Sequence, residues 1–158
     1  MKDFSEGRFA WQNDRFVKWR NAKAHTASHA FLYGTGVFEG IACYKTARGP
    51  ALFRLQDHVE RLLGSARIMK MNVDYTKRQI EKACAELVEK NGFDECYLRP
   101  VISYGYGKIG LAPMNLKTDL TILAWRQKNY LGKEAQENGI RLMTSSYLRV
   151  FAKPANSR

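Results

Sequence analysis

Residues 76–104, TKRQIEKACAELVEKNGFDECYLRPVISY, hold one helix and one strand in their plainest form. Thr76 and Gln79 stand three residues apart ahead of an apolar stripe, the pattern of a capping box. Ile80, Ala83, Cys84, Leu87 and Val88 then recur at helical spacing, and Gly92 supplies a C-terminal stop. From Cys96 to Tyr104 the period drops to two: Tyr97 and Arg99 alternate with Cys96 and Leu98, and so share one face of a strand. Working outward, residues 55–69 repeat Leu55, Val59, Leu62, Leu63, Ala66 and Met69 as a second helical stripe. Upstream, Phe9–Gln12 and residues 15–19 flank Asn13-Asp14 as a hairpin, and Ile41–Thr46 and residues 51–53 flank the turn Ala47-Arg48-Gly49-Pro50. Residues 120–125 and 140–146 read as further strands. Strands and helices fall in blocks instead of alternating, which predicts an α+β fold: a mostly antiparallel sheet with two packed helices.

The chain has 158 residues, 45% hydrophobic and 26% charged, enough for one domain with a real core. No apolar run approaches the ~20 residues that span a bilayer. Met1-Lys2-Asp3-Phe4 lacks the apolar core of a signal peptide. Cys43, Cys84 and Cys96 are odd in number and widely spaced, with neither a metal-ligand pattern nor a disulfide framework; Cys84 sits on the helical stripe as a buried thiol. These features set the expectation of a cytoplasmic chain with no membrane partner and no metal. The net charge of +11 raises a rival class, a nucleic-acid-binding module with steeply salt-dependent affinity. The basic residues are scattered, however, and Trp11 and Trp19 are not interleaved as a stacking platform, so no nucleic acid is expected. Residues 151–158, with Pro154, carry no element pattern and read as a connection, leaving 1–150 as the domain.

Four segments carry possible chemistry. In residues 28–40, SHAFLYGTGVFEG, three glycines among aromatics permit close approach of a ligand to the backbone, without P-loop or dinucleotide spacing. In 57–62, DHVERL, His58 and Arg61 share a helix face with Ser65. Tyr97 and Arg99 place a phenol and a guanidinium inside a sheet, which is costly without water or an anion. Residues 105–113, GYGKIGLAP, suit a mobile loop. On residue type alone each has a plain counterpart: a glycine turn, a solvated face, a structural ion pair, an ordinary loop.

Taken together these segments resemble the N-terminal part of branched-chain amino acid aminotransferases, the class IV, fold-type IV enzymes that depend on pyridoxal 5'-phosphate. The signature is His29-Ala30-x-x-Tyr33-Gly34-Thr35-Gly36-Val37-Phe38-Glu39-Gly40-Ile41. Related D-amino acid aminotransferases and aminodeoxychorismate lyases usually show Asp-Gly where this chain has Thr35-Gly36; they and the (R)-amine transaminases are the alternatives within the class. The resemblance implies that Arg61 binds the cofactor phosphate, for which a guanidinium fork is suited. It implies that Phe38, Gly40 and Tyr130 line the substrate side-chain pocket and that Tyr97 positions the substrate carboxylate. By the same resemblance Arg99 is expected to meet the side-chain carboxylate of glutamate. Tyr33 and Leu111, the latter on the 105–113 loop, reach a neighbouring subunit's site, so a homodimer or higher homo-oligomer is implied. The reaction the resemblance implies moves the amino group of leucine, isoleucine or valine to 2-oxoglutarate.

The chain departs from the family at Ala42, where arginine is common, and at Gln127-Lys128, where Trp-Gly is common, so pocket shape is expected to differ. In the family the Schiff-base lysine follows a Ser-Ser strand end, here Ser145-Ser146, and precedes a Gly-x-Tyr-x-Asn-Ser run that these 158 residues do not contain. By spacing it falls just past Arg158; Lys153 comes too early and is followed by proline. No catalytic residue is therefore assigned. The lysine is expected on a C-terminal domain outside this chain, which alone is expected to be inactive and to hold the cofactor weakly or not at all.

Overall fold

The computed structural model describes residues 4–113, 115–127 and 132–147. Tyr130, Lys128, Lys153 and the 151–158 connection lie outside them. The chain divides into two compact units, residues 1–128 and 129–158.

The first unit runs β1 (Phe4–Glu6), β2 (Phe9–Gln12), β3 (Arg15–Lys18), a 3-10 turn at Trp19–Asn21, α1 (His29–Tyr33), β4 (Gly36–Phe38), β5 (Ile41–Thr46), β6 (Gly49–Leu52), α2 (Leu55–Ile68), α3 (Lys77–Asn91), β7 (Cys96–Tyr104) and β8 (Thr118–Gln127). All eight strands join one sheet, and every pairing is antiparallel. The path is β3-β2-β8-β7-β5-β6, with β1 also on β8 and β4 also on β7. The expected antiparallel sheet with two long helices is the fold observed.

Local chemistry explains the elements. Asn13 and Asp14 both adopt positive φ, 46° and 64°, the mirror-image turn that a two-residue hairpin requires. Trp19 leaves the strand for the 3-10 turn, and the second hairpin turn is shorter than expected, because β6 begins at Gly49 with φ 109°. Thr76 Oγ1 accepts from the Gln79 N–H and the Gln79 side chain accepts from the Thr76 N–H, completing the capping box. Gly92 closes α3 in the left-handed region at φ 66°.

One face of the sheet and the inner stripes of α2 and α3 make the core. Ile41, Leu62, Ile80, Leu87, Leu98, Ile102 and Ile122 are fully enclosed. Each such side chain stabilises the fold by about 1.5–3 kcal/mol relative to exposure. Asn91, buried at the end of α3, exchanges bonds with both backbone groups of Phe9 (2.9 and 3.1 Å) and so ties β2 to the helix layer.

The second unit holds α4 (Gly132–Asn138). Residues 140–146, expected as a strand, form none. A strand needs a ladder partner and a face to bury. The described residues of this unit supply no other strand, and Leu142 and Met143 stay exposed. The helix itself is unexpected, since GKEAQEN has no apolar stripe.

Replacing Thr76 with Ala removes the side-chain acceptor of the Gln79 N–H and leaves only the backbone half of the capping box, the residue-76 N–H donating to Gln79. The expected cost is about 1 kcal/mol in a urea-unfolding measurement, with Thr76→Ser close to the parent. A loss indistinguishable from an exposed mid-helix Ala substitution would contradict the cap's role.

Candidate functional site

The centre of the site is three consecutive residues, Phe38, Glu39 and Gly40, at the junction of β4 and β5. Both strands lie along the same edge of β7 in one continuous register: Phe38 opposite Val101, Ile41 opposite Leu98. Between them the Glu39 N–H donates to the Pro100 carbonyl at 3.0 Å. Proline has no N–H to return the bond, so the ladder lapses at this point. Side chains still alternate across the sheet. Phe38 and Gly40 therefore face one side with Tyr97 and Arg99, while Glu39 turns to the helix side.

On the helix side Glu39 is 5% exposed, an expensive position for a carboxylate without partners. It has three bonds. Arg61 of α2 donates through both Nε and Nη2 to its two oxygens, and His58 Nδ1 lies 3.0 Å from Oε2. The Arg61 guanidinium holds the Glu39 carboxyl below its usual range against the opposing effect of burial, and His58 adds to the lowering. The carboxylate in turn holds the Arg61 guanidinium above its own. The Arg61 side chain is nonetheless 68% exposed, so its remaining N–H groups point away from Glu39 toward open space. A small cavity of about 170 Å³ opens there, bounded by Arg54, Asp57, His58 and Arg61.

On the opposite face Arg99 is enclosed by rings. Its Cζ lies 4.6 Å from the Phe38 ring centre, 5.4 Å from Tyr97 and 6.0 Å from Trp125. Arg99 Nη2 donates to the Tyr97 hydroxyl at 3.1 Å, and Tyr97 packs on Trp125 at 5.0 Å. Arg99 Nε is buried and has no hydrogen-bond partner among the described residues. Gly40 sits against the Tyr97 phenol so closely that any Cβ would overlap it, which explains glycine here.

The structure thus brings Phe38, Gly40, Tyr97 and Arg99 together. It attaches Arg61 to them through Glu39, with the fork on the other side of the strand. Tyr33 and the 105–113 loop meet through His29, which is 2% exposed. Its Nε2 donates to the Gly110 carbonyl at 3.0 Å, its Nδ1 lies 2.7 Å from the Thr35 hydroxyl, and the Tyr33 ring packs on it at 4.5 Å. Because a carbonyl only accepts, Nε2 must carry the proton. Leu111 itself is 86% exposed. Ala42 faces Tyr97 across β5 and β7, and Gln127 closes β8. Among the described residues no three His, Cys, Asp or Glu converge as metal ligands, and no helix is long and apolar enough to cross a membrane.

Sequence reasoning did not single out Glu39, Trp125 or the joint made by His29. Strand alternation carried the first signal: once Phe38 and Gly40 face a ligand, Glu39 must face the helix that bears Arg61.

The family model described as "Amino-transferase class IV" matches residues 36–158, from β4 onward through every site residue above except Tyr33 and His29. The chain belongs to the class IV aminotransferase family. It is 41% identical over 139 residues to the branched-chain-amino-acid aminotransferase of Pseudomonas aeruginosa, covering 88% of this chain and 45% of that protein. Its fold matches the crystal structure of the Escherichia coli branched-chain amino acid aminotransferase with a TM-score of 0.89 and 40% identity, over 92% of this chain and 48% of that one. The T.th. branched-chain amino acid aminotransferase with pyridoxamine 5'-phosphate matches with a TM-score of 0.78 and 40% identity, over 83% and 43%. The chain spans a little under half the length of these relatives. Its architecture is that of the N-terminal domain of the fold-type IV enzymes.

Because the Glu39 carboxyl is held low in the folded chain, its contribution is complete above about pH 4.5 and is lost as pH falls through the lowered value. Unfolding free energy is expected to drop between pH 5 and pH 3, with a smaller drop in Glu39→Gln. Asp94, also held low by Lys45, keeps part of the slope. Identical slopes for parent and variant would remove Glu39 from the balance.

Proposed function

We propose that this chain forms the phosphate- and substrate-holding half of a pyridoxal-phosphate-dependent transaminase that moves the amino group of leucine, isoleucine or valine to 2-oxoglutarate. The observation that carries the reading is the Phe38–Glu39–Gly40 junction, with an oriented arginine fork on one side and an aromatic-walled arginine on the other. The sequence likeness to branched-chain aminotransferases, one of them solved with pyridoxamine 5'-phosphate, supports it.

The residues present suit the cofactor. Glu39 occupies two of the donor positions of Arg61 and leaves the others for phosphate oxygens, a charge-assisted pairing stronger than a neutral one. When bound, pyridoxal phosphate supplies the electron sink that lets an amino group leave one carbon skeleton and join another. Phe38 and Tyr97 offer apolar surface to a branched side chain, each buried methylene contributing about 0.8 kcal/mol. The Tyr97 hydroxyl is aimed past Gly40, where it can donate to a substrate carboxylate. The unpartnered Arg99 Nε gives the same pocket a second mode, accepting the distal carboxylate of glutamate or 2-oxoglutarate. Leu111 and Tyr33 exclude water from the site of a second copy, and the assembly is a homo-oligomer in the cytoplasm.

Moving the proton at the substrate α-carbon needs an amine base. Among the described residues the side chains gathered here are Phe38, Glu39, His58, Arg61, Tyr97, Arg99 and Trp125, with no lysine among them. By the likeness to branched-chain aminotransferases, the Schiff-base lysine is assigned to a following domain, past the 1–150 domain and the 151–158 connection, and Tyr130 completes the pocket wall.

The 158-residue chain alone is expected to form no glutamate from leucine and 2-oxoglutarate; turnover by it would overturn the divided site. In an enzyme carrying both halves, Arg99→Leu is expected to raise KM for glutamate about tenfold or more while leaving leucine turnover near the parent value, consistent with the loss of one charged hydrogen bond. Equal losses on both substrates would sink the dual-mode pocket, and a preference for D-amino acids or (R)-amines would move the protein elsewhere in class IV.

A further inference from the structure

Two cysteines stand in a relation that the site does not use. Cys43 of β5 and Cys96 of β7 are register partners, directly opposite each other across the ladder, with side chains on the same face of the sheet. Their pair type follows by counting from Glu39, which bonds to Pro100. Hydrogen-bonded pairs recur every second residue, so 39/100, 41/98 and 43/96 belong to one set. Such pairs place Cα atoms about 5.5 Å apart. A disulfide bridges roughly 4.4–6.8 Å.

Access is the second observation. Cys43 and Cys96 are 1% and 6% exposed, yet both line an open cavity of about 520 Å³. Its rim carries the ion pairs of Asp94 with Lys45 (3.2 Å) and Arg126 (3.1 Å). Cys84 differs: it is fully enclosed within α3, and burial pushes its thiol up to about 12.

We propose that Cys43 and Cys96 form a modification site, a dithiol that a small hydroperoxide entering through this cavity converts to a cross-strand disulfide. One sulfur, as thiolate, attacks the O–O bond to give a sulfenic acid, and the departing oxygen leaves as water. The second thiol then displaces water from that sulfur and the S–S bond forms. Two thiols lose two protons and two electrons, and hydrogen peroxide is reduced to two waters. Burial raises both thiols above their usual range, so the reaction is slower than at an exposed cysteine. The pairing, rather than the reactivity of either sulfur, selects the product. Opposed Cβ atoms in a sheet lie about 4.5–5.5 Å apart. A relaxed disulfide prefers roughly 3.5–4.5 Å, so this bond is strained and readily reduced. It joins β5 to β7 one residue from the Ala42–Tyr97 pair.

The test is to expose the folded chain to hydrogen peroxide, block remaining thiols by alkylation, and measure intact mass and a non-reducing peptide map. The expected product has lost the mass of two hydrogen atoms, links the Cys43 and Cys96 peptides, and carries the alkyl group on Cys84. Dithiothreitol then frees two further alkylatable thiols, Cys43 and Cys96. Cys84→Ser leaves the Cys43–Cys96 link and the loss of two hydrogens unchanged, whereas Cys96→Ser abolishes that mass loss. Three free thiols after treatment, a link involving Cys84 or a second chain, or a link formed only in urea would each overturn the proposal.

Discussion

A nine-residue strand that is dry on one face and carries the candidate site on the other governs this structure. Along β7, Cys96, Leu98, Pro100, Ile102 and Tyr104 are buried, while Tyr97, Arg99, Val101 and Ser103 alternate with them at intermediate exposure. A one-residue slip would exchange the two sets completely. The energy that holds Leu98 and Ile102 in the core is thus the same energy that holds Tyr97 and Arg99 at the site. Pro100 adds the second constraint. Its carbonyl accepts from Glu39 but it has nothing to donate, and the opposite edge loosens where Phe38, Glu39 and Gly40 must serve two faces.

Charge follows from that geometry. In a chain of net charge +11, an enclosed carboxylate is the scarcer group. Glu39 is tolerated at 5% exposure because Arg61 and His58 complete its hydrogen bonds. An exposed ion pair contributes little to stability. The pair here acts differently, through orientation: two bonds from one guanidinium to one carboxylate fix the plane of the fork, and the arginine keeps its outward donors. A lysine at position 61 would bring the charge without the plane.

Much of this was legible in the sequence, for identifiable reasons. The two long helices carried five or six apolar residues each at helical spacing, and Thr76, Gln79 and Gly92 marked one of them at both ends. β7 announced itself by strict alternation, which also placed Tyr97 and Arg99 on a common face. The short elements carried too little pattern: α1 has five residues and β1 and β4 three each, below the length at which a period can be recognised. The strand expected at 140–146 shows the opposite failure, since a β-like run does not form a strand without a partner to bond. Glu39 was hidden for another reason. It sits inside a signature whose neighbours face a ligand, and only the pleat shows that it faces the other way.

The exposed apolar residues of the first unit make a further argument for a half-built site. Single surface hydrophobics need no explanation. Here Ile68, Phe53 and Tyr44 stand apart, but Phe31 (71%), Phe38 (60%), Ile109 (64%) and Leu111 (86%) cluster in two segments, 31–38 and 109–111. His29 bonds those segments to each other through Thr35 and the Gly110 carbonyl. Among the described residues β4 pairs only with β7. Apolar side chains that the fold takes trouble to hold together, but leaves uncovered, fit the proposed role of a surface completed by other polypeptide. The buried Arg99 Nε, still lacking an acceptor, points the same way at atomic scale. The core is closed; the functional face is prepared and open.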